Sequence, residues 1–133
     1  MPKIVLAGQD VPLLETRAEV LKKIDAEVVY CIGSDALKVV TAEMPDLLVL
    51  CHSLGTEEAE SIAAAARTCC PKTKILLVVS HATTGMPHQA EKFDAVSQPE
   101  PARLLVRATK LLSNLPFPQG RDVFDDGPRP ATV

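Results

Sequence analysis

The chain has 133 residues, of which 47% are hydrophobic and 3% aromatic, and its formal net charge is -3. This length fits one domain with a single core, built from Leu, Val, Ile and Ala because tryptophan is absent. The acidic balance excludes the basic footprint of a nucleic-acid binder, and no apolar run approaches the roughly 20 residues of a membrane span.

The first half of the chain alternates short apolar runs with helical periodicity. Residues 4–7 predict a buried strand and are too short for a signal peptide, so we expect a cytoplasmic protein with reduced cysteines. Asp10 is placed to cap the first helix, and Ser34 the second, which follows a strand at residues 27–32. The predicted inward faces of these helices are Leu14, Ala18, Leu21, Ile24, Leu37, Val40, Thr41 and Met44, with Arg17 among the residues left to solvent.

Residues 47–51 are apolar without a break and follow a Pro-Asp turn. Such a run predicts a strand buried on both faces, in the middle of a parallel sheet. Ligands of these sheets gather just beyond the carboxyl ends of the strands. The sequence Cys51-His52-Ser53 lies at that end, and we expect a functional site there first.

The second half continues the alternation. Thr56 is predicted to cap a third helix, residues 74–79 form a fourth buried strand, and residues 93–96 a fifth. A final helix runs to about residue 114. Between the last two strands, Gly85 and Pro87 interrupt any helix, so the fourth helix is predicted to be shortened or missing.

Five alternations of strand and helix predict an α/β fold with a doubly wound, five-stranded parallel sheet in a three-layer α/β/α sandwich. The domain is predicted to span residues 1–114. Residues 115–133 carry four prolines and an acidic patch at Asp122, Asp125 and Asp126. This composition predicts a flexible Pro-rich tail.

The order and length of these units, with Pro45-Asp46 before the third strand and Pro99 after the fifth, resemble the CheY-like receiver domains of bacterial response regulators. The resemblance covers residues 3–114. It implies a flavodoxin-like sheet and a stand-alone signalling module of the two-component, or phosphorelay, family. In receivers the fourth helix, fifth strand and last helix form the output face, so the resemblance places a protein partner on residues 83–112.

The positions that the resemblance assigns to the receiver pocket are Gly8, Gln9, Asp10, Cys51, Ser80, Ala95 and Gln98. Receivers usually carry a magnesium-binding acidic pair where this chain has Gly8 and Gln9, and a phosphate-accepting Asp where it has Cys51. They carry an aromatic switch residue and a lysine where it has Ala95 and Gln98. Ser80 matches the family pattern, and Asp10 lies one position after the acidic pair.

These replacements predict that the pocket is degenerate. Phosphoryl transfer to a carboxylate needs a divalent ion, and magnesium prefers hard oxygen ligands. Gly8 has no side chain, Gln9 has a neutral amide, and Gln98 has no cation. We therefore expect no phosphorylation on Asp, no catalytic residue, no metal and no cofactor. The expected activity is binding to a partner protein, and neither a nucleic acid nor a membrane is an expected partner. The sequence leaves open whether the protein forms a homodimer.

Two alternatives stay open for the site. Cys51, with His52 beside it and His81 at the end of a neighbouring strand, would serve a thiol enzyme or redox sensor if an imidazolium activated it. We favour a packing role, because free cysteines at strand ends are usually small hydrophobes and successive strand side chains point oppositely. The second alternative is a receiver phosphorylated unconventionally, on Ser53.

Metal binding has weak support from the sequence. His52, His81 and His88 have no recognisable ligand spacing with Cys51. Cys69 and Cys70 are adjacent rather than spaced as Cys-x-x-Cys, and they close the third helix. For this pair we expect one inward and one exposed side chain, with core packing as the role.

Overall fold

The computed structural model describes residues 2–79 and 93–113. The strands are β1 (Lys3–Gly8), β2 (Glu27–Ile32), β3 (Leu47–Cys51), β4 (Lys74–Val78) and β5 (Ala95–Ser97). The α-helices are α1 (Val11–Leu21), α2 (Ala36–Glu43), α3 (Thr56–Cys69) and α4 (Pro101–Ser113), and short 3-10 helices cover Gly33–Asp35 and His52–Leu54. All strand pairs are parallel and the sheet order is β2-β1-β3-β4-β5, which confirms the predicted α/β fold.

The central strand β3 is buried on both faces, as predicted. The side chains of residues 47–50 are completely buried and that of Cys51 is 1% exposed. Because strand side chains alternate, Leu48 and Leu50 pack with α2 and α3, whereas Leu47, Val49 and Cys51 pack with α1 and α4. The carboxyl end of β3 therefore lies between two hydrophobic layers. Within the described residues, no helix has the length and apolar character needed to cross a membrane.

The predicted helix caps are right for α1 and wrong for α2 and α3. The Asp10 carboxylate accepts a hydrogen bond from the Leu13 N–H at 3.3 Å and caps α1. Ser34 lies inside a 3-10 helix that precedes α2. Thr56 is the first residue of α3, and Gly55 takes the cap position because its φ of 83° suits glycine alone.

The predicted inward faces are wrong at two places. On α2 and at its C-cap, Val40 is buried, whereas Thr41 is exposed, Leu37 is 40% exposed and Met44 is 61% exposed. The buried stripe is instead formed by Ala36 and Val40, four residues apart, with Val39 half-buried beside them. On α1, Arg17 is only 5% exposed, because it lies three residues after Leu14 on the face that packs against the sheet.

The fifth strand begins two residues later than predicted, at Ala95. The final helix α4 agrees with its prediction and buries Leu104 and Ala108. The predicted shortening or loss of a fourth helix between β4 and β5 falls on residues outside the described ranges. The predicted flexible tail, residues 115–133, lies outside them as well.

Candidate functional site

The carboxyl ends of β1 and β3 bring four of the expected residues together. Ala7 pairs with Leu50 in the sheet, so Gly8 follows beside Cys51. The loops after the two strands are joined by a hydrogen bond from the Gln9 backbone N–H to Ser53 Oγ, at 2.9 Å. The edge of the sheet predicted from the apolar run is therefore a real junction of two loops.

The space at Gly8 is closed on three sides. A β-carbon added to Gly8 would lie 3.0 Å from Ser53 Oγ, 3.1 Å from Leu14 Cδ2 and 3.2 Å from Cys51 Cβ. All three distances are shorter than ordinary contacts to a β-carbon. Any side chain at this position has to displace its neighbours, and a carboxylate there would also lack water.

The Gln9 side chain turns towards α3. Its Nε2 donates to Glu58 Oε1 at 2.8 Å. Gly33, in the loop after β2, packs against the same place: an added β-carbon would lie 2.4 Å from Leu54 Cδ2 and 2.8 Å from Glu58 Oε2. The loops after β1, β2 and β3 and the start of α3 therefore touch one another at this edge.

Cys51 forms the base of the site and is shielded from solvent. Burial raises the pKa of its thiol, and the nearby positive charge of Arg17 opposes this only in part. Burial also lowers the pKa of His52. The positive charge of Arg17 lowers this pKa further, whereas the carboxylate of Asp10 raises it in part. At neutral pH the thiol is protonated and the imidazole is neutral. This pair lacks the thiolate and imidazolium that an activated cysteine needs.

Arg17 is the site residue that the sequence analysis missed. Its Nη1 is buried and has no hydrogen-bond partner among the described residues. Its charge acts on both Cys51 and His52, so it lies near the end of β3. The helical spacing from Leu14 was the available signal, and it was set aside because arginine is normally exposed.

The other predicted pocket residues are not all brought to this junction. Cys51 pairs with Val78 of β4, and Val78 pairs with Ser97 of β5. Gln98 follows Ser97, so its backbone lies two strands, or about 10 Å, from Cys51. Ala95 is half-buried in β5, on the same distant strand. The predicted candidates Ser80, His81 and His88 lie outside the described residues.

Magnesium, which the receiver resemblance implies, does not fit the residues of this junction. Gly8 offers no ligand and no space, the Gln9 side chain donates to Glu58, and the Asp10 carboxylate is used as a helix cap. Across residues 2–79 and 93–113, no group of three His, Cys, Asp or Glu side chains is arranged to hold a metal ion.

A second feature is a groove along α4 and the sheet edge at β5, with a volume of about 660 Å³. Its lining residues are Val96, Ser97, Gln98, Ala102, Arg103, Val106, Arg107 and Lys110. The three cations recur four and three residues apart and so share one helix face. Val106 is 62% exposed between them. The groove is cationic with an apolar centre.

Thiol labelling separates the packing role of Cys51 from a chemical one. We expect iodoacetamide at neutral pH to modify the exposed Cys69 and to leave Cys51 unmodified in the folded protein, since a buried thiol with a raised pKa is a poor nucleophile. Peptide mass spectrometry measures both sites. Labelling in denaturant, where both thiols should react, is the control. Rapid native labelling of Cys51 would instead support the thiol hypothesis.

No protein-family model matches the chain, and no curated protein sequence does. Solved structures are similar to it in fold. The receiver domain of AraT, a response regulator from Geobacillus stearothermophilus, has a TM-score of 0.74 at 19% identity, covering 86% of this chain and 95% of that one. A DNA-binding response regulator of the LuxR family from Staphylococcus aureus has a TM-score of 0.73 at 18% identity, with coverages of 84% and 99%. A response regulator from Thermotoga maritima has a TM-score of 0.72 at 17% identity, with coverages of 85% and 98%. At these identities the likeness establishes the CheY-like receiver fold.

Proposed function

We propose that this protein is a receiver-like signalling module of two-component systems that binds a partner protein and is not phosphorylated on Asp. The fold supports the first part of the proposal. The closed space at Gly8 carries the second part, because a receiver's magnesium site needs a carboxylate where Ser53, Leu14 and Cys51 leave no room. On this proposal the protein is not an enzyme and uses no cofactor.

The packing around Gly8 also bears on phosphate binding at Cys51. A phosphoryl group needs an acceptor oxygen and cations to neutralise its charge. The base of the junction offers a protonated, buried thiol, and the Gln9 N–H that could face a phosphate already donates to Ser53 Oγ. The arrangement favours a permanently packed edge over one that changes with phosphorylation.

A phosphodonor experiment tests this directly. We expect no mass increase when the protein is incubated with acetyl phosphate and magnesium chloride and measured by intact-mass spectrometry. The Cys51→Asp variant supplies an acceptor carboxylate without magnesium ligands, and we expect it to stay unmodified too. A receiver domain with a complete acidic pocket is the positive control. A magnesium-dependent phosphate adduct on the wild-type chain would contradict the proposal, and mapping it to Ser53 would support the unconventional receiver.

The groove along α4 and β5 is the surface that we propose for the partner. It occupies the described part of the 83–112 face that the receiver resemblance implies. Exposed cations around the apolar Val106 suit a partner that presents acidic side chains around an apolar contact. Such complementarity requires no change in the receiver pocket, so binding would be constitutive.

Charge reversal in the groove tests the partner surface. We expect Arg107→Glu to weaken partner binding by about tenfold, because repulsion replaces attraction. Affinity capture followed by titration of the recovered partner provides the measurement. Lys38→Glu is the matched control, since Lys38 is exposed on α2, on the opposite face of the sheet. Equal losses for both variants would show that only net charge matters and would count against the groove.

A further inference from the structure

The ends of α2 and α3 bring three sulfur atoms together, far from the junction at Cys51. Cys69 Sγ lies 2.9 Å from Cys70 Sγ, and Cys70 Sγ lies 3.6 Å from Met44 Sδ. We call Met44, Cys69 and Cys70 the sulfur cluster. Cys70 is buried at its base, and Cys69 is exposed at its rim. Solvent therefore reaches the cluster at Cys69 and Met44, and Cys70 lies behind them.

Met44 is held in a conformation that methionine rarely adopts. It caps the end of α2 with φ 48° and ψ 60°, in the left-handed region. Among the described residues it is the one non-glycine residue with positive φ. Glycine is the usual residue at such a helix end, and the Met44 side chain is 61% exposed, so packing does not explain it. Strain of this kind is a recognised mark of functional positions.

The electrostatic setting of the cluster favours a positive ligand. Met44 follows the last residue of α2, and Cys69 is the last residue of α3. The carboxyl ends of helices carry partial negative charge from their unpaired carbonyl groups. Two helix ends therefore direct this charge towards the three sulfur atoms, and they stabilise a cation there.

We propose that Met44, Cys69 and Cys70 form a binding site for Cu(I). Thiolate and thioether donors are soft ligands and select this ion, which is satisfied by two or three sulfur atoms. Zinc would need a fourth ligand, and no third His, Cys, Asp or Glu stands by the cysteines in the described part of the chain. The site is independent of the proposed signalling function and would persist if that proposal failed.

Binding exchanges protons for the ion without any redox change. One Cu(I) displaces one proton from each thiol and forms two copper–sulfur bonds to Cys69 and Cys70, with the thioether of Met44 as a neutral third donor. Two sulfur atoms around one ion, each bound at about 2.3 Å as in zinc sites, stand further apart than the present 2.9 Å between Cys69 and Cys70. The exposed Cys69 side chain has room to swing outward.

Titration with Cu(I), kept reduced by ascorbate under anaerobic conditions with bicinchoninate as the competing chelator, tests the proposal. We expect one Cu(I) per chain, with ultraviolet sulfur-to-copper charge-transfer absorption. Cys69→Ser should lower the affinity by about 100-fold through loss of one thiolate. This variant is decisive because an exposed serine is compatible with the fold. Cys31→Ser, which changes a half-buried cysteine of β2, is the matched control and should bind normally.

Variants of Met44 test the thioether and the strain together. Met44→Leu should lower the Cu(I) affinity by about tenfold, because leucine offers no donor atom. Met44→Gly should also bind weakly, yet raise the melting temperature, because glycine relieves the left-handed strain. Unchanged affinity in Cys69→Ser would overturn the site. Unchanged affinity in both Met44 variants would overturn the three-sulfur assignment.

Discussion

Replacing Gly8 by aspartate is expected to lower the free energy of unfolding by about 4 kcal/mol, a large part of the roughly 5 to 15 kcal/mol of a folded domain. The side chain would meet Ser53, Leu14 and Cys51 within 3.0 to 3.2 Å of its β-carbon. Its carboxylate would then be taken out of water, and the positive charge of Arg17 near Cys51 would offset only part of that cost. Urea denaturation followed by circular dichroism measures the loss.

Gly8→Ala is the matched control for this prediction. It adds the same β-carbon without the charge, and should cost about 1 to 2 kcal/mol by overpacking alone. The difference between the two variants then gives the cost of burying the carboxylate. Wild-type stability in Gly8→Asp would show that the loops open easily, and the main support for a pocket closed to magnesium would be lost.

Replacing Arg17 by methionine is expected to raise the free energy of unfolding by about 2 kcal/mol, because an apolar side chain of similar length removes a buried, incompletely bonded charge. The present guanidinium is 5% exposed and its Nη1 has no partner among the described residues. Urea denaturation again provides the measurement. Arg17→Ala is the control: it removes the same charge but leaves a cavity, so its gain should be smaller or absent.

The pH dependence of stability provides a second readout for Arg17. The pKa of His52 is lowered in the folded state, first by burial and then by Arg17. The unfolded chain therefore binds more protons. The contribution of His52 to stability is present above its unfolded pKa of about 6.5, and it is lost as pH falls below that value and through the lower folded-state pKa. In Arg17→Met this decline should be smaller. A destabilised Arg17→Met variant would show that the guanidinium has a stabilising partner.

The sequence predicts the sheet well because its buried strands are continuous apolar runs. The unbroken run of β3 fits burial on both faces, and the Asp10 cap depends only on contacts within one helical turn. Arg17 was assigned to solvent because its residue type was given more weight than its helical position. The exposed Met44 shows the reverse error, in which an apolar residue was assumed to be inward.

The closure around Gly8 lay beyond the sequence for a different reason. It depends on Ser53 and Leu14, which come from two other elements and approach within 3.1 Å of the missing β-carbon. Local periodicity carries no information about such distances between elements. The resemblance to receivers indicated which positions to compare, but it could not show that the space for a carboxylate is filled.

The three loops at the carboxyl edge have a mechanical consequence. The loop after β1 is fastened to the loop after β3 through Gln9 and Ser53, and to α3 through Glu58. The loop after β2 packs closely against Gln9, Leu54 and Glu58 through Gly33. None of these segments is able to move outward alone without breaking a hydrogen bond or losing a close contact of another. The three loops are therefore mechanically coupled, and a force applied to any one of them is shared by all three.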